Sequence, residues 1–511
     1  MNRLLKFFTS RLFLWGFGLL LQITWILSIM FVFSAQYSYV KEAMSIIALF
    51  VVLLIVNNQD NPSYKLAWSV IILFLPVFGL TIYFLFGRSK ITKKRRERLG
   101  LMHERVTKQL PEDSQVLNEL ASLSRGASKQ SGYISKWSQY PIYKDTDTQY
   151  FSCGEKMFPY MLESMKSAKK FIFLEYFIVQ EGEMLDEILE VLEQKVKEGV
   201  EVRFLYDDMG SVMTLPIRYD EKIRSLGIQC ARFNPLRPIL SVFVNNRDHR
   251  KILVVDGKVG FTGGINIADE YINRLKKFGY WKDTGVKLEG EAVNSLTAMF
   301  LEMWNYTLKR TEDESYYMPE IKQEDRPLSD GFVQPYGDSP LDHEKVGENV
   351  YLNIINRAKD YIYIYTPYLI IDNEMMTALC NAAKSGVDIH IVTPGIPDKL
   401  LVFWLTQSYY AQLIQAGVKI HEFTPGFIHA KCFVCDDVIA TVGTINMDYR
   451  SLYMHFECGV WLFRCKAVTQ LKEDALRTLR ESKEITLEFC QNRLGIVRWM
   501  QGILRMFAPL L

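Results

Sequence analysis

The sequence lacks a second C-x-x-C pair to match Cys432 and Cys435, and the remaining cysteines are scattered singly along its 511 residues. A structural zinc site needs four ligands, usually from two such pairs, so the stretch "IHAKCFVCDD" is not predicted to bind zinc. Cys435 also lies in an apolar strand pattern, where a related stretch of the chain has Val255. We therefore interpret Cys432 and Cys435 as inert core thiols.

The chain also lacks a strong net charge, since 60 Lys and Arg oppose 58 Asp and Glu for a formal charge of +2. This balance gives no overall signature of nucleic-acid binding. No G-x-x-x-x-G-K-S/T loop is present, so no nucleotide energy source is expected. We predict no cofactor, no metal and no nucleic-acid partner, and the sequence leaves the oligomeric state open.

Long apolar runs are confined to the N-terminus, at residues 12–33, 43–56 and 66–86. The first and third contain 22 and 21 residues, enough to cross ~30 Å of hydrocarbon at ~1.5 Å per residue. The middle run reaches that length only by including residues 37–42. We therefore predict that residues 1–90 are membrane-anchoring segments.

The topology of these segments follows from the basic residues around them. A cluster follows the third run and predicts that the chain from residue 90 onward is cytoplasmic; it comprises Arg88, Lys90, Lys93, Lys94, Arg95, Arg96 and Arg98. Arg3, Lys6 and Arg11 favour an internal N-terminus as well, which three full crossings do not allow. Either the N-terminus is outside, or one run is re-entrant or interfacial, with Pro76 and Gly79 favouring a bend in the third.

The remaining chain alternates helical and strand patterns after a charged stretch at 91–135, which reads as a basic juxtamembrane linker. "FIFLEYFIV" and "VEVRFLYDD" have strand character, and helical periodicity precedes each of them. This order predicts an α/β fold with mixed, largely parallel sheets flanked by helices.

Three blocks of sequence recur in the same order at offsets of 187 to 190 positions. "AKKFIFLEYF" resembles "AKDYIYIYTP", "KEGVEVRFLY" resembles "KSGVDIHIVT", and "LGIQCARFNP" resembles "AGVKIHEFTP". We predict two homologous halves at 136–325 and 326–487, followed by a C-terminal amphipathic helix at 488–511. That helix lies either at a membrane interface or against the protein core.

Each half contains one copy of the pattern H-x-K-x4-D-x6-G-G/T-x-N. The copies are "HRKILVVDGKVGFTGGIN", with His249, Lys251, Asp256 and Asn266, and "HAKCFVCDDVIATVGTIN", with His429, Lys431, Asp436 and Asn446. Residues two apart on a strand share a face, so each histidine projects with its lysine. Each aspartate lies seven positions on, and strand alternation places it on the opposite face, where a structural role is expected.

Two converging histidines, lysines and asparagines suit a phosphodiester, whose displacement needs charge stabilisation and in-line geometry. One imidazole can attack phosphorus to form a phosphohistidine while the other protonates the departing alcohol and then activates the incoming one. Each histidine should be oriented by an acid, and the candidates at matching places are Asp283 and Glu457.

The paired motifs resemble the phospholipase D superfamily, and the blocks "GTINMDYRSLYMHFE" and "FAPLL" are similar to the bacterial cardiolipin synthase family. The resemblance covers the chain from about residue 40. It implies conversion of two phosphatidylglycerols into cardiolipin and glycerol by a multi-pass protein of the bacterial plasma membrane, with its catalytic domain on the cytoplasmic face. It also implies His249 as nucleophile and His429 as acid/base, with Asp256 and Asp436 counted in the catalytic motifs. Phosphate would be bound by Lys251, Lys431, Asn266 and Asn446.

Several alternatives remain open. A phospholipase D-type hydrolase would use the same residues with water as acceptor, and another phosphatidyltransferase would use a different alcohol. A catalytically dead scaffold would be expected to have lost a histidine or lysine, and both pairs are present.

The first half carries an insertion, "LRPILSVFVNNR" at 236–247, that is expected to contact acyl chains or headgroups.

Overall fold

The computed structural model describes residues 11–36, 38–87, 93–111, 113–236, 245–319, 327, 331–342 and 344–510. Its N-terminal part is helical, with helices Arg11–Gln36, Ser38–Asn57, Pro62–Phe74 and Pro76–Ile82 and a π-helix at Tyr83–Gly87. Among the helices of these ranges, none combines the length and the hydropathy that a membrane crossing requires.

The third apolar run bends where the sequence predicts it. The first helix of this run ends at Phe74, and Pro76 begins the next helix, because proline has no N–H to continue the first. A Cβ atom on Gly79 would lie 2.6 Å from the carbonyl oxygen of Ile71. Glycine therefore allows the second helix to approach the end of the first this closely.

The stretch predicted as a linker at 91–135 contains helices Lys93–Thr107, Ser114–Leu123 and Arg125–Ser138. The first is packed against the first half, where His103 Nδ1 lies 3.3 Å from Glu302 Oε2. The third is packed against the second half, where Gln130 Nε2 donates to the carbonyl of Val350. These helices therefore form an ordered layer that contacts both halves.

The first half contains one seven-stranded sheet with the order β1-β8-β6-β5-β2-β3-β4. Its strands are β1 (Thr146–Phe151), β2 (Phe171–Tyr176), β3 (Glu201–Asp207), β4 (Gln229–Phe233), β5 (Ile252–Val255), β6 (Val259–Gly263) and β8 (Gly285–Gly290), with β7 (Tyr280–Lys282) outside the sheet. Its α-helices are Gly154–Ser167, Glu183–Lys197, Tyr219–Ser225 and Val293–Leu308.

The second half contains an eight-stranded sheet with the order β19-β13-β12-β10-β15-β16-β18-β9. Its strands are β9 (Phe332–Asp338), β10 (Tyr361–Tyr365), β12 (Asp388–Pro394), β13 (Lys419–Phe423), β15 (Cys432–Cys435), β16 (Ile439–Gly443), β18 (Glu457–Phe463) and β19 (Ser482–Ile485). Short strands outside it are β11 (Leu369–Ile370), β14 (Gly426–Ile428) and β17 (Met447–Asp448). The helices are Val346–Arg357, Asn373–Lys384, Leu400–Gln407, Tyr410–Gln415, Tyr449–Tyr453, Lys466–Arg480, Leu487–Gln491 and Gly495–Phe507.

The two sheets have the same topology, which confirms the predicted duplication. Read from β1 and from β9, seven strands follow in equivalent order, and β19 is an extra edge strand of the second sheet. The expectation of largely parallel sheets is wrong, however. Only β2-β3-β4 and β10-β12-β13 are parallel, and the other neighbours within the two sheets are antiparallel.

The physical reason lies in the hairpins that follow the two motifs. Asp256 and Gly257 have φ of 54° and 68°, and Asp436 and Asp437 have φ of 52° and 61°. These left-handed conformations turn the chain directly from β5 to β6 and from β15 to β16. An Asp-Gly pair after an apolar strand is a hairpin signal that the helix–strand alternation alone does not reveal.

The halves pack together through a shared apolar core that includes residues from both sheets. Thr262 Oγ1 lies 3.4 Å from Cys458 Sγ, and Thr284 Oγ1 lies 2.9 Å from Cys432 Sγ, each contact crossing between halves. β7 of the first half pairs in parallel with β14 of the second. The two histidine motifs are therefore held at one interface rather than at separate surfaces.

Candidate active site

Each motif histidine is fixed by backbone hydrogen bonds to the other half. The N–H of His249 donates to the carbonyl of Phe456 at 2.9 Å, and the N–H of His429 donates to the carbonyl of Lys282 at 2.7 Å. Both histidines lie in extended segments just before β5 and β15. The position of each histidine therefore depends on the opposite half.

The orienting acids cross between the halves in the same way. His249 Nδ1 lies 2.9 and 3.0 Å from the two oxygens of Glu457, and His429 Nδ1 lies 2.6 Å from Asp283 Oδ2. With each δ nitrogen bound to a carboxylate, the ε nitrogen is the one left for chemistry. The sequence identified both acids, and the structure adds that each one serves the histidine of the opposite repeat.

The two lysines are buried beside the histidines. Lys251 Nζ donates to the carbonyl of His249, and Lys431 Nζ donates to the carbonyl of His429. Burial lowers the pKa of Lys251 to about 8 and that of Lys431 to about 7. An anionic phosphate would favour their charged forms, so substrate binding and protonation of these lysines are coupled.

The histidines are held in the neutral form. Burial, followed by the charges of Lys251 and Lys431, lowers the pKa of His249 well below its ordinary value. Burial and Lys431 lower the pKa of His429 to about 4. A neutral imidazole retains the lone pair that an attack on phosphorus requires.

The acids are supported by groups that explain the G-G/T difference between the motifs. Glu457 accepts hydrogen bonds from the hydroxyls of Thr444 and, at 2.6 Å, Ser451. The residue matching Thr444 is Gly264, where a Cβ atom would lie 2.0 Å from Asp283 Oδ1. The second motif therefore uses its threonine as a donor, whereas the first needs glycine to make room for its acid.

The acids differ in their electrostatics as well. Although burial opposes it, His429 and Lys431 hold the pKa of Asp283 below its ordinary value. Burial raises the pKa of Glu457 despite the neighbouring charge of Lys251. Asp283 and Glu457 thus occupy matching positions of the two repeats but differ in the direction of their pKa shifts.

Asp256 and Asp436, which the resemblance counts among the catalytic residues, lie at the hairpin turns. Asp256 accepts backbone hydrogen bonds from Lys169, Lys170 and Phe171, and Asp436 accepts three from residues 359–361. These bonds tie each turn to the start of the neighbouring strand. The aspartates therefore have the structural role that strand alternation predicts, and their carboxylates are occupied there.

The two motif asparagines are placed differently. Asn266 accepts from the N–H of Ile178 at 2.9 Å and donates to the hydroxyl of Tyr271 at 2.8 Å, which leaves one N–H for a ligand. Asn446 is also buried, and its Oδ1 has no hydrogen-bond partner within the described part of the chain. Asn446 is therefore the less constrained of the two amides.

Sequence reasoning missed His455. Its ring centroid lies 5.6 Å from that of His249, and its Nδ1 lies 3.8 Å from Glu457 Oε1. Aligning "MHFECG" with "YWKDTG" would have drawn attention to it, because His455 takes the place of Trp281. His249, His455 and Glu457 have donor atoms within 4.8 Å of one another. The hydroxyl groups of Thr444 and Ser451 and the imidazole of His249 already use the oxygens of Glu457, so this set does not favour a metal site.

Cys432 and Cys435 are buried thiols, as the sequence predicts, and of the other cysteines only Cys490 is partly exposed. All eight cysteines lie within the described ranges, and each is a free thiol. Burial raises the pKa of Cys432 to about 12 and raises that of Cys435 as well. The thiols are thus disfavoured as thiolates, the form that binds metals or reacts.

The insertion, which is expected to contact lipid, and the C-terminal helix, for which the sequence leaves two locations open, have different outcomes. Residues 237–244 of the insertion lie outside the described residues. Arg247 at its end is buried, and its Nε lies 3.0 Å from Asp207 Oδ2. In the C-terminal helix Gly495–Phe507, Gln501 is buried, whereas Ile496 and Trp499 are 64% and 62% exposed. The helix therefore packs on the protein by another face and leaves apolar side chains uncovered.

Comparison with known proteins identifies the family. Residues 161–304 and 351–478 match the family described as "Cardiolipin synthase, PLD-like domain", and residues 43–88 match the phospholipase D-nuclease N-terminal family. An uncharacterized protein of Streptococcus mutans is 45% identical, covering 90% of this chain and 99% of its own. A cardiolipin synthase of Alkalihalophilus pseudofirmus is 35% identical, covering 91% of this chain and 92% of its own.

A solved structure supports the fold. The phosphatidylserine synthase of Haemophilus influenzae aligns with a TM-score of 0.55 at 15% identity, covering 74% of this chain and 97% of that chain. At this identity the likeness concerns the fold alone, and the assignment depends on the family match and the relatives at 35% identity or above. The chain belongs to the cardiolipin synthase family of proteins with phospholipase D-like domains.

Proposed function

We propose that this protein transfers a phosphatidyl group from one phosphatidylglycerol to another, giving cardiolipin and glycerol. The observation that carries the proposal is the composite site. Two neutral imidazoles are each bound at Nδ1 to a buried acid of the opposite half, and a buried lysine lies beside each. Relatives named cardiolipin synthase over nine-tenths of the chain support this choice of substrates.

The reaction takes two displacements. The bound phosphate favours the protonated form of His429. His249 Nε2 attacks the phosphorus of the first lipid, and the P–O bond to the headgroup glycerol breaks as His429 Nε2 gives its proton to the departing oxygen and becomes neutral. His429 then removes a proton from a headgroup hydroxyl of the second lipid, and that oxygen attacks phosphorus and releases His249. The pseudo-symmetry of the halves allows the exchanged assignment, in which His429 is the nucleophile.

The charged groups suit this exchange. Lys251 and Lys431 become fully charged when they bind the phosphate, and they stabilise the extra negative charge of the transition state. One phosphodiester replaces another, so the reaction needs no nucleotide. The reacting phosphate is bound by groups of both halves, with the side-chain N–H groups of Asn266 and Asn446 as further donors.

We also propose that the protein works at the cytoplasmic face of the bacterial plasma membrane. The apolar N-terminal runs, the basic cluster at 88–98 and the uncovered C-terminal helix face support this location. Leu400 and Leu401 next to that helix are 57% and 58% exposed, so Ile496 and Trp499 belong to a wider apolar surface. Such a surface beside basic side chains suits the boundary of an anionic bilayer.

The test uses the purified full-length protein in vesicles of phosphatidylglycerol, with neither metal nor nucleotide added. We expect cardiolipin and glycerol in equal amounts by lipid chromatography and enzymatic glycerol determination. His249→Ala and His429→Ala should each abolish the transfer. His390→Ala is the matched control, because His390 lies on β12 with Asp388 and His421 as neighbours. Phosphatidic acid as the main product would instead establish the hydrolase alternative.

A further inference from the structure

A cavity of 180 Å³ lies beside the active site, between the N-terminal helices and the second half. Its lining includes Asn61, Asp338, Ser339, Asp342, Tyr453 and His455. Asn61 caps helix Pro62–Phe74, and its Nδ2 lies 3.1 Å from both the Tyr453 hydroxyl and Asp372 Oδ2. The N-terminal helices therefore form one wall, and His455, whose ring centroid lies 5.6 Å from that of His249, forms part of another.

The lining favours a neutral ligand with several hydroxyl groups. Carboxyl groups of Asp60, Asp338, Asp342 and Glu344 outnumber the cations Arg96 and Lys345, so a phosphate is disfavoured. Burial raises the pKa of Asp338 well above its ordinary value and that of Asp342 to about 6. An ionised carboxylate accepts hydrogen bonds from hydroxyls, and a protonated carboxyl group can also donate one. A cavity of about 150 Å³ holds a ring of six heavy atoms, which is the number of heavy atoms in glycerol.

His455 connects this cavity with the reacting groups. Its side chain is only 10% exposed, and neither ring nitrogen has a hydrogen-bond partner among the residues that the structure describes. The 3.8 Å separation from Glu457 is too long for a hydrogen bond. A buried polar ring without partners is unfavourable, and a hydroxyl bound in the cavity would satisfy it.

The residue of the first half that matches His455 is Trp281, so the unpartnered imidazole occurs on one side of the site only. Trp281 lies beside His429 with a ring-centroid distance of 5.6 Å, and it packs against Tyr271 and Phe427 at 4.8 Å each. His429 is thus surrounded by aromatic rings. His249 also contacts one ring, that of Phe177 at 4.8 Å, but in place of the tryptophan it has His455, which borders the cavity. Since the repeats share their topology, this difference separates an apolar side of the site from a polar one.

We propose that this cavity, with His455 at its inner end, binds the polyol headgroup of the acceptor lipid, and that His455 determines specificity for a polyol over water. The inference depends on the proposed phosphatidyl transfer and names the place of its acceptor. An imidazole nitrogen of His455 hydrogen-bonds one headgroup hydroxyl, and the carboxyl groups of the cavity bind another. The hydroxyl that reacts is thereby held at the His249 side of the phosphate, so this inference takes the exchanged assignment, in which His429 is the nucleophile and His249 is the acid/base.

The test measures headgroup exchange, in which the full-length protein transfers phosphatidyl groups from phosphatidylglycerol to radiolabelled free glycerol in mixed micelles. Phosphatidic acid formed in the same reaction reports water as acceptor. We expect His455→Phe to raise the KM for glycerol at least tenfold while phosphatidic acid formation stays within twofold. His455→Asn, which keeps a hydrogen-bonding group, should remain within threefold of the wild type. Ser339→Leu should reduce the cavity and raise the same KM.

The outcomes distinguish this inference from the proposed function. A glycerol KM within twofold of the wild type in both His455→Phe and Ser339→Leu would overturn the headgroup site. Equal losses of exchange and hydrolysis in His455→Phe would overturn it too, because they indicate a role on His249 instead. Thermal unfolding shows whether His455→Phe is folded. If it is not, the glycerol KM of Ser339→Leu decides whether the headgroup site stands. Wild-type exchange without any cardiolipin from phosphatidylglycerol alone would reject the proposed function but leave the polyol site standing.

Discussion

Replacing Lys431 by methionine should stabilise the protein while it removes activity. Lys431 is 1% exposed, and burial lowers its pKa from 10.5 to about 7. At about 1.36 kcal/mol per pKa unit, keeping this ammonium charged costs the folded state roughly 5 kcal/mol at pH 6. Methionine avoids this cost but leaves the carbonyl of His429 without its donor, a loss of about 1–3 kcal/mol. The free energy of unfolding should therefore rise by roughly 2–4 kcal/mol at pH 6.

The gain should disappear at high pH. Between about pH 7 and 10.5 the unfolded chain carries a proton on Lys431 that the folded chain has lost. The wild type therefore becomes more stable relative to the unfolded state as the pH rises through this window. Lys431→Met has no such contribution, so at pH 10 its stability should be equal to or below that of the wild type.

The assay is equilibrium denaturation of the full-length protein in detergent at pH 6 and at pH 10, with tryptophan fluorescence as the measure of unfolding. Lys384→Met is the matched control, because Lys384 is exposed at the end of helix Asn373–Lys384. The control should match the wild type at both pH values. A Lys431→Met variant that is less stable than the wild type at pH 6 would refute the reasoning about buried charge.

Three further results are expected. Glu457→Gln should lower kcat by about 100-fold or more with a smaller change in KM, because it disturbs the proton on His249 across the interface; an unchanged kcat would contradict the cross-half pairing. Cys432→Val with Cys435→Ala should keep transfer within twofold, and a chelator should have no effect; chelator sensitivity would revive a metal site. Asp256→Ala should lower the free energy of unfolding by several kcal/mol, because three backbone N–H groups lose their acceptor. The KM of the folded fraction should be unchanged. A raised KM would give Asp256 a direct role in substrate binding.

Much of the architecture is predictable because duplication is visible in the sequence. The repeated blocks correspond to β2, β3 and β4 in one half and to β10, β12 and β13 in the other, at equivalent places in the two sheets. The alternation of strands and helices covers only this parallel part. The antiparallel part is governed by the turns after Val255 and Cys435, which depend on left-handed backbone conformations at the aspartates.

The site was predictable in its residues but not in its pairing. The motif spacing identifies His249 and His429, and the positions after each asparagine identify Asp283 and Glu457. Nothing local shows that Glu457 serves His249, because that contact depends on how two separately folded sheets meet. His455 was missed for a related reason, since only its burial without hydrogen-bond partners distinguishes it from an ordinary histidine.

The central claim is a double displacement on two histidines, and trapping the intermediate tests it most directly. Wild-type protein turning over phosphatidylglycerol labelled with ³²P would be denatured within milliseconds, digested and mapped. The account predicts an acid-labile, base-stable phosphatidyl label on the peptide that contains one of the two motif histidines. A label on His429 would support the exchanged assignment on which the headgroup cavity depends, and a label on His249 would support the first assignment. Turnover to cardiolipin with no label on either histidine would contradict the account.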